Sequence, residues 1–194
     1  MDPTLGAQIK VEIKGEYQIA SSREKVWAAL IDPEVLRECI PGCESLEQIS
    51  DTEFAAKIIA AIGPVRATFN TSLTLENVQP PESYTLVGSG KGGAAGFGRG
   101  RADVRLDETD GVTQLTYSAD FQVGGKLAQV GSRLVLGATR KMAKEFFGNF
   151  SHRFDPHAQR IEPEEEKGEA VISKTGLAIA AAVVILLVWW FLLR

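Results

Sequence analysis

The feature that most constrains this chain is its last eighteen residues, Leu177 to Arg194, which read LAIAAAVVILLVWWFLLR: seventeen apolar residues and one terminal charge. A run this apolar has no polar face to turn to water, so it must be buried along its whole length. A helix rises about 1.5 Å per residue, and roughly 17 to 25 apolar residues cross a hydrocarbon core of about 30 Å. The run meets that length. Trp189 and Trp190 stand near one end, where indoles favour the headgroup level, and Lys174 precedes the other end as a charge that can stay in water. The alternative is a buried core helix, but 3.6-residue amphipathicity is absent and a terminal helix of this kind has little to pack against. The expectation is a transmembrane tail anchor over residues 177–194. Met1 to Lys10 shows no basic segment followed by an apolar one, so no secretory signal is expected. The soluble part is therefore expected on the cytoplasmic side of a cell membrane, and two cysteines agree with a reducing compartment.

Ahead of the tail, residues 154–176 form an acidic stretch with Pro156 and Pro163 and no apolar periodicity until Val171. It reads as a solvated linker, and twenty flexible residues reach about 25 Å root-mean-square. The net charge of −4 divides into −2 over residues 1–153, −3 over 154–176 and +1 in the tail. That balance argues against nucleic acid as a partner, because a phosphate-binding surface needs a clustered basic patch and the basic residues are spread along strands and one helix. Residues 1–153 leave room for one domain.

The period of the domain is two for most of its length. Val11, Ile13, Gly15, Tyr17 and Ile19 alternate with polar residues and predict a strand. Ser21 with Glu24 has the spacing of a capping box before a short helix carrying Val26, Trp27 and Leu30. Asp32 and Pro33 open a second short helix that ends before the turn Ile40-Pro41-Gly42. Alternation then resumes from Cys43 to Val123, interrupted at Gly63-Pro64, Pro80-Pro81, the glycines around residue 92 and Asp110-Gly111. The period returns to 3.6 from Lys126 to about Ser151, where Leu127, Val130, Leu134, Ala138, Met142, Phe146 and Phe150 form one apolar stripe. One strand, two short helices, six strands and a long helix predict an α+β domain, an antiparallel sheet curved around its C-terminal helix.

Several expected inward positions are small: Ala56, Ala60, Ala67, Gly88, Ala102 and Ala119 on strands, Gly131 and Ala138 on the helix. A curved sheet facing small side chains leaves either an apolar cavity or a gap that bulky partners fill. On the first reading the candidate ligand-binding residues are Phe69, Phe97, Ala102, Tyr117, Ala119, Phe121, Leu134, Ala138 and Met142, with the aromatic rings supplying contact area. The segment GSGKGGAAGFGRG, Gly88 to Gly100, superficially resembles a phosphate loop. A phosphate cradle needs a helix after the loop, and here a strand follows at Arg101 while Lys91 lacks the G-K-[ST] setting. The segment reads instead as a mobile hairpin whose apolar tip, Ala94-Ala95-Gly96-Phe97, covers a cavity mouth or touches lipid.

Catalytic constellations are scarce. Cys39 and Cys43 frame a turn, but the only histidines, His152 and His157, lie far away in sequence, so two buried thiols are expected and no metal site. No histidine in the folded core can serve a Ser or Cys nucleophile. Asp103 and Asp120 fall on the outer face as solvated charges. Only hydroxyls, those of Tyr17, Tyr117 and Thr71 among them, point inward without an obvious base. The chain is therefore expected not to be an enzyme.

Four segments carry a family resemblance: ALIDPEVL (Ala29 to Leu36), CIPGCESL (Cys39 to Leu46), GGAAGF (Gly92 to Phe97), and VGGKLAQ followed by Gly131-Ser132-Arg133. They resemble the CoxG family of carbon monoxide dehydrogenase proteins, within the helix-grip, START-like (SRPBCC) superfamily, over about residues 10 to 150. The resemblance implies a non-catalytic accessory protein that recruits carbon monoxide dehydrogenase, or a related molybdenum hydroxylase, to the inner face of the cytoplasmic membrane. A tail anchor and an apolar cavity together suit binding and shuttling of a respiratory quinone, menaquinone or ubiquinone, or of a lipid. No covalent cofactor is expected. Two other readings remain open, a ligand-free scaffold and a START-like cyclase or hydrolase acting on an apolar substrate.

Overall fold

The computed structural model describes residues 8–155. The expected tail anchor and all but the first two residues of the expected linker lie outside the described residues. Among the described residues no helix is long and apolar enough to cross a membrane.

Among the described residues seven strands and four helices run in the order β1 (Gln8–Ile19), α1 (Arg23–Leu30), α2 (Pro33–Cys39), β2 (Cys43–Gln48), β3 (Glu53–Ile62), β4 (Val65–Gln79), β5 (Ser83–Lys91), β6 (Phe97–Thr109), β7 (Val112–Gly124), α3 (Lys126–Gln129) and α4 (Ser132–His152). The strands form one antiparallel sheet ordered β1-β7-β6-β5-β4-β3-β2, so the meander predicted from β2 onward is present, with β1 added beside β7. The alternation read in the sequence decides which face each residue takes, because successive side chains point to opposite sides. Leu106 and Leu115 stand opposite each other on the inner face at 1% and 0% exposure, while their neighbours Asp107 and Gln114 pair on the outer face in water.

Helix starts follow the sequence at one place and depart from it at another. Asp32 caps α2 as expected, its Oδ1 accepting from the backbone N–H groups of Glu34 at 2.8 Å and Val35 at 3.3 Å. The Ser21/Glu24 capping box does not form. Ser22 occupies the cap position of α1 without a side-chain bond, and Arg23 N–H donates instead to Glu108 Oε2 at 2.7 Å, a carboxylate brought from β6. An orphan amide of the first turn needs an acceptor, and the fold supplies it from 85 residues away.

The long helix predicted from Lys126 to Ser151 is broken. α3 ends at Gln129, Gly131 takes φ +93°, and α4 restarts at Ser132. That φ lies in a region open to glycine and costly for other residues, so the break is written into Gly131. It also rotates the stripe. Val135 is fully buried and Leu134, placed in the stripe by unbroken periodicity, is 50% exposed.

The interior holds two apolar clusters. The first gathers Tyr17, Ile19, Trp27, Leu106, Leu115 and Phe150 with α1 and α2; the second gathers Val11, Ile13, Ile62, Val123, Leu127 and Val135. Full burial of one such side chain stabilises by about 1.5–3 kcal/mol, which ties the C-terminal half of α4 firmly to β1 and α2. The anchoring is reinforced by Asn149, whose amide donates to Cys39 O at 3.2 Å, and by an Arg153–Glu38 ion pair.

The two caps predict different outcomes. Asp32→Ala should cost about 1 kcal/mol and lower the thermal midpoint by roughly 2–4 °C, whereas Ser21→Ala, which removes no cap bond, should leave it unchanged. Thermal denaturation followed by circular dichroism checks both; equal losses would return the cap to Ser21.

Candidate functional site

The concave side of the sheet is the candidate site, and its shape follows from where α4 rests. The helix comes close to the backbones of β1, at one edge, and β3, beside the other edge, and makes no comparable approach to β4, β5, β6 or β7 between them. The helix backbone thus lies nearest the two sides of the sheet and meets the middle strands through long side chains such as Phe147.

Burial along the cross-strand rows agrees. One row runs Ile13, Ala119, Ala102, Leu86, Leu75 from β1 to β4. Its two ends are buried, and the three middle residues retain partial exposure although they face inward. The next row, Val11, Phe121, Gly100, Gly88, Leu73, Phe54, repeats this: Val11 and Phe54 are buried at 5% and 4%, and the middle is half-buried. The middle strands thus face a hollow between the two clusters.

At the α1/α2 end an aromatic stack closes the hollow. The Phe147 ring lies 4.2 Å from Tyr17 and 5.1 Å from Tyr117, nearly parallel to both. Tyr117 also lies flat over Gly15, where an added Cβ would come within 2.7 Å of its ring. Burial, with a smaller contribution from the nearby Tyr17, pushes the Tyr117 hydroxyl up to about 12, against a weaker opposing pull from Arg140. Burial raises Tyr17 and Tyr84 as well.

Of the residues expected to bind a ligand, the structure brings together Phe69, Tyr117, Ala119, Phe121 and Ala138 around the second cluster. Ala102 pairs with Ala119 in the same row, and Met142 is half-buried one turn beyond Ala138. Two residues stand apart. Leu134 is half-exposed beside Gly63 through the rotation of α4. Phe97 has the strand parity of Arg99 and Arg101, so it faces the convex side, where its ring covers Gly124.

The small residues divide into two kinds. Leu73 leans over Gly88 and the Phe69 ring covers Gly92, so these glycines accommodate bulky neighbours, in line with the filled-gap alternative. Ala102 and Ala119 are the positions that leave room. Ile58, Leu73 and Leu86 also face the hollow half-buried, and they were missed although their parity gave the signal. The expected mobile hairpin tip is instead folded in. Residues Gly93–Ala95 form a 3-10 turn, Ala95 is 7% exposed, and Gly96 packs against the Gly124 carbonyl so closely that any Cβ would collide.

The polar candidates fall elsewhere. Asp103 lies on the convex face, accepting from Thr85 Oγ1 at 2.7 Å and Arg101 at 3.1 Å, and these bonds hold its carboxyl below the usual range. Asp120 pairs with Lys10 at 3.3 Å, so Asp103 and Asp120 form no carboxylate dyad. Cys39 is buried and Cys43 half-buried; both are free thiols, raised chiefly by burial. Among the described residues no group of three or more His, Cys, Asp or Glu side chains can hold a metal ion. Two recesses of about 400 and 550 Å³ open on the convex face, one around Thr85 and Asp103, the other around Arg99 and Arg101. Both are lined by charged and polar side chains of the strands, yet most of the surface they expose is apolar.

A curved antiparallel sheet gripping one long helix defines the helix-grip, START-like class. Solved structures share it: Zhui aromatase/cyclase from Streptomyces sp. R1128 at 11% identity and TM-score 0.58, covering 78% of this chain and 97% of that one, and truncated norcoclaurine synthase from Thalictrum flavum at 15% and 0.52, covering 78% and 98%. At such identities the likeness shows the fold alone. A conserved protein from Geobacillus kaustophilus is nearer, at 31% identity and TM-score 0.70 over 74% of this chain and 95% of that one. No curated protein matches the sequence. Residues 15–154 match the CoxG family of carbon monoxide dehydrogenase subunits, and the chain belongs to it.

The raised Tyr117 hydroxyl gives a pH prediction. A tyrosine of ordinary value 10.0 ionises in the unfolded chain first, while the folded chain keeps its proton to about 12. This contribution is complete below pH 10 and falls away as pH rises towards 12. Thermal midpoints measured across that window should decline less steeply in Tyr117→Phe than in the parent; parallel declines would refute the assignment.

Proposed function

We propose that this protein is a membrane-tethered accessory subunit of carbon monoxide dehydrogenase, or of a related molybdenum hydroxylase, that binds a respiratory quinone or similar lipid in its concave hollow. One observation carries the reading. α4 makes its closest backbone approaches to β1 and β3, and Ala102, Ala119, Leu86 and Phe121, which face inward on the strands between, stay only half-buried. Family membership supports the association with the dehydrogenase.

The hollow suits an apolar molecule with a polar end. Its walls are aliphatic and aromatic, and Tyr17 and Tyr117 bring hydroxyls to the closed end. Tyr117 keeps its proton to about pH 12, so at neutral pH it is a hydrogen-bond donor suited to a quinone carbonyl. The tyrosines and Thr71 offer no strong base, which supports binding rather than catalysis by this chain. The apolar run Leu177 to Leu193 would hold the domain at the bilayer from which a quinone partitions, and the linker would let it reach the dehydrogenase.

Native mass spectrometry and solvent extraction of protein purified from its own membranes should recover a quinone or lipid. Ala119→Trp should reduce the recovered amount by roughly tenfold, at an overpacking cost of about 1–3 kcal/mol. A consistently empty protein would leave recruitment alone. Deleting residues 177–194 should release both chain and dehydrogenase from the membrane fraction. A dehydrogenase that stays bound, with quinone reduction unchanged, would contradict the anchor.

A further inference from the structure

The fold sorts charge that the sequence scatters. Antiparallel topology puts the turn at Gly63-Pro64, the 92–96 loop and the β7–α4 connection at one end of the sheet, and the turns near residues 50, 81 and 110 at the other. The second end is acidic, carrying Asp51, Glu53, Glu76, Glu82, Asp107 and Asp110 on exposed positions. The first end is cationic. Arg66, Lys91, Arg99, Lys126 and Arg133 are all exposed there, and none has a carboxylate partner among the described residues; Arg99 binds the Gln122 amide instead. Lys57 extends the row, aligned with Lys91 through Asn70 on the convex face.

Two further features share that rim. Leu134, half-exposed, stands against Gly63, and the backbone about it is small or apolar, with Ala61, Pro64 and Ala94 also exposed. The N-terminus of α4, a 21-residue helix, begins at the rim and adds the positive end of its dipole. An exposed leucine at the same end of the sheet as several cations without carboxylate partners is a composition that binds the interface of an anionic bilayer, the apolar side chain entering the headgroup layer and the cations meeting phosphates.

We propose that this rim, with Leu134 at its tip and Arg66, Lys91, Arg99, Lys126 and Arg133 around it, is a docking face for anionic lipid. The inference rests on the reading that the protein works at a membrane, and it adds which end of the domain meets the bilayer. The acidic end is turned away by the same charge.

Hydrogen-exchange mass spectrometry of the full chain with vesicles tests it. Vesicles containing phosphatidylglycerol should slow exchange roughly threefold or more in residues 92–99 and 126–134 and leave residues 109–113 unchanged, the protection vanishing near 0.5 M salt. Vesicles of phosphatidylcholine alone should not protect the rim. The triple variant Arg66→Glu, Lys91→Glu, Arg133→Glu should lose the protection with its β1–β7 exchange unaltered, and Leu134→Ser should weaken it. Should the charge-reversed protein misfold, Leu134→Ser and the salt dependence still decide. A chain that floats with both vesicles yet shows no anionic-specific protection overturns the docking face while the tail anchor stands. A chain that floats with neither takes both down. Polyglutamate that protects the rim where anionic vesicles do not would give the surface to an acidic protein and overturn the lipid assignment.

Discussion

Everything else in this domain depends on the contact of α4 with the edges of the sheet. The C-terminal half of the helix is fixed by Phe147 and Phe150, which pack on Tyr17 and against α1 and α2, and its N-terminal half by Val135 in the second cluster. Both attachments use long side chains, while the helix backbone comes closest to β1 and β3. Between these attachments the inward side chains of the middle strands, Ala102, Ala119 and Leu86 among them, are less tightly covered than Leu106 and Leu115 further along the same face.

That geometry separates the two faces of the molecule. The concave side is mainly aliphatic and aromatic, and the convex side carries the charge pairs Lys10–Asp120, Arg101–Asp103 and Arg105–Asp107. The convex ion pairs are exposed and contribute little to stability, so the outer surface is free to be shaped by its partners.

Much of this was legible in the sequence because strand alternation reports a face directly. Ala102, Ala119, Tyr117 and Phe121 were read as inward from parity alone, and parity placed them correctly. Three things escaped. The Glu108 cap on α1 is a contact between residues distant in sequence, which no local pattern contains. Gly131 breaks the helix through a backbone angle, and apolar periodicity ran through it unaltered, which put Leu134 on the wrong face. The clustering of cations at one rim arises from antiparallel pairing, so charges spread along the chain become neighbours only once the strands are aligned.

The account stands or falls on whether apolar ligand enters between α4 and the middle strands. Alanine methyl NMR of the full chain in micelles, titrated with a short-chain quinone, addresses this most directly. The methyls of Ala102, Ala119 and Ala138 should shift together and saturably, while that of Ala56, packed in the first cluster, should stay in place. Shifts confined to surface alanines such as Ala61 and Ala94, with Ala102 and Ala119 unmoved at saturation, would contradict it.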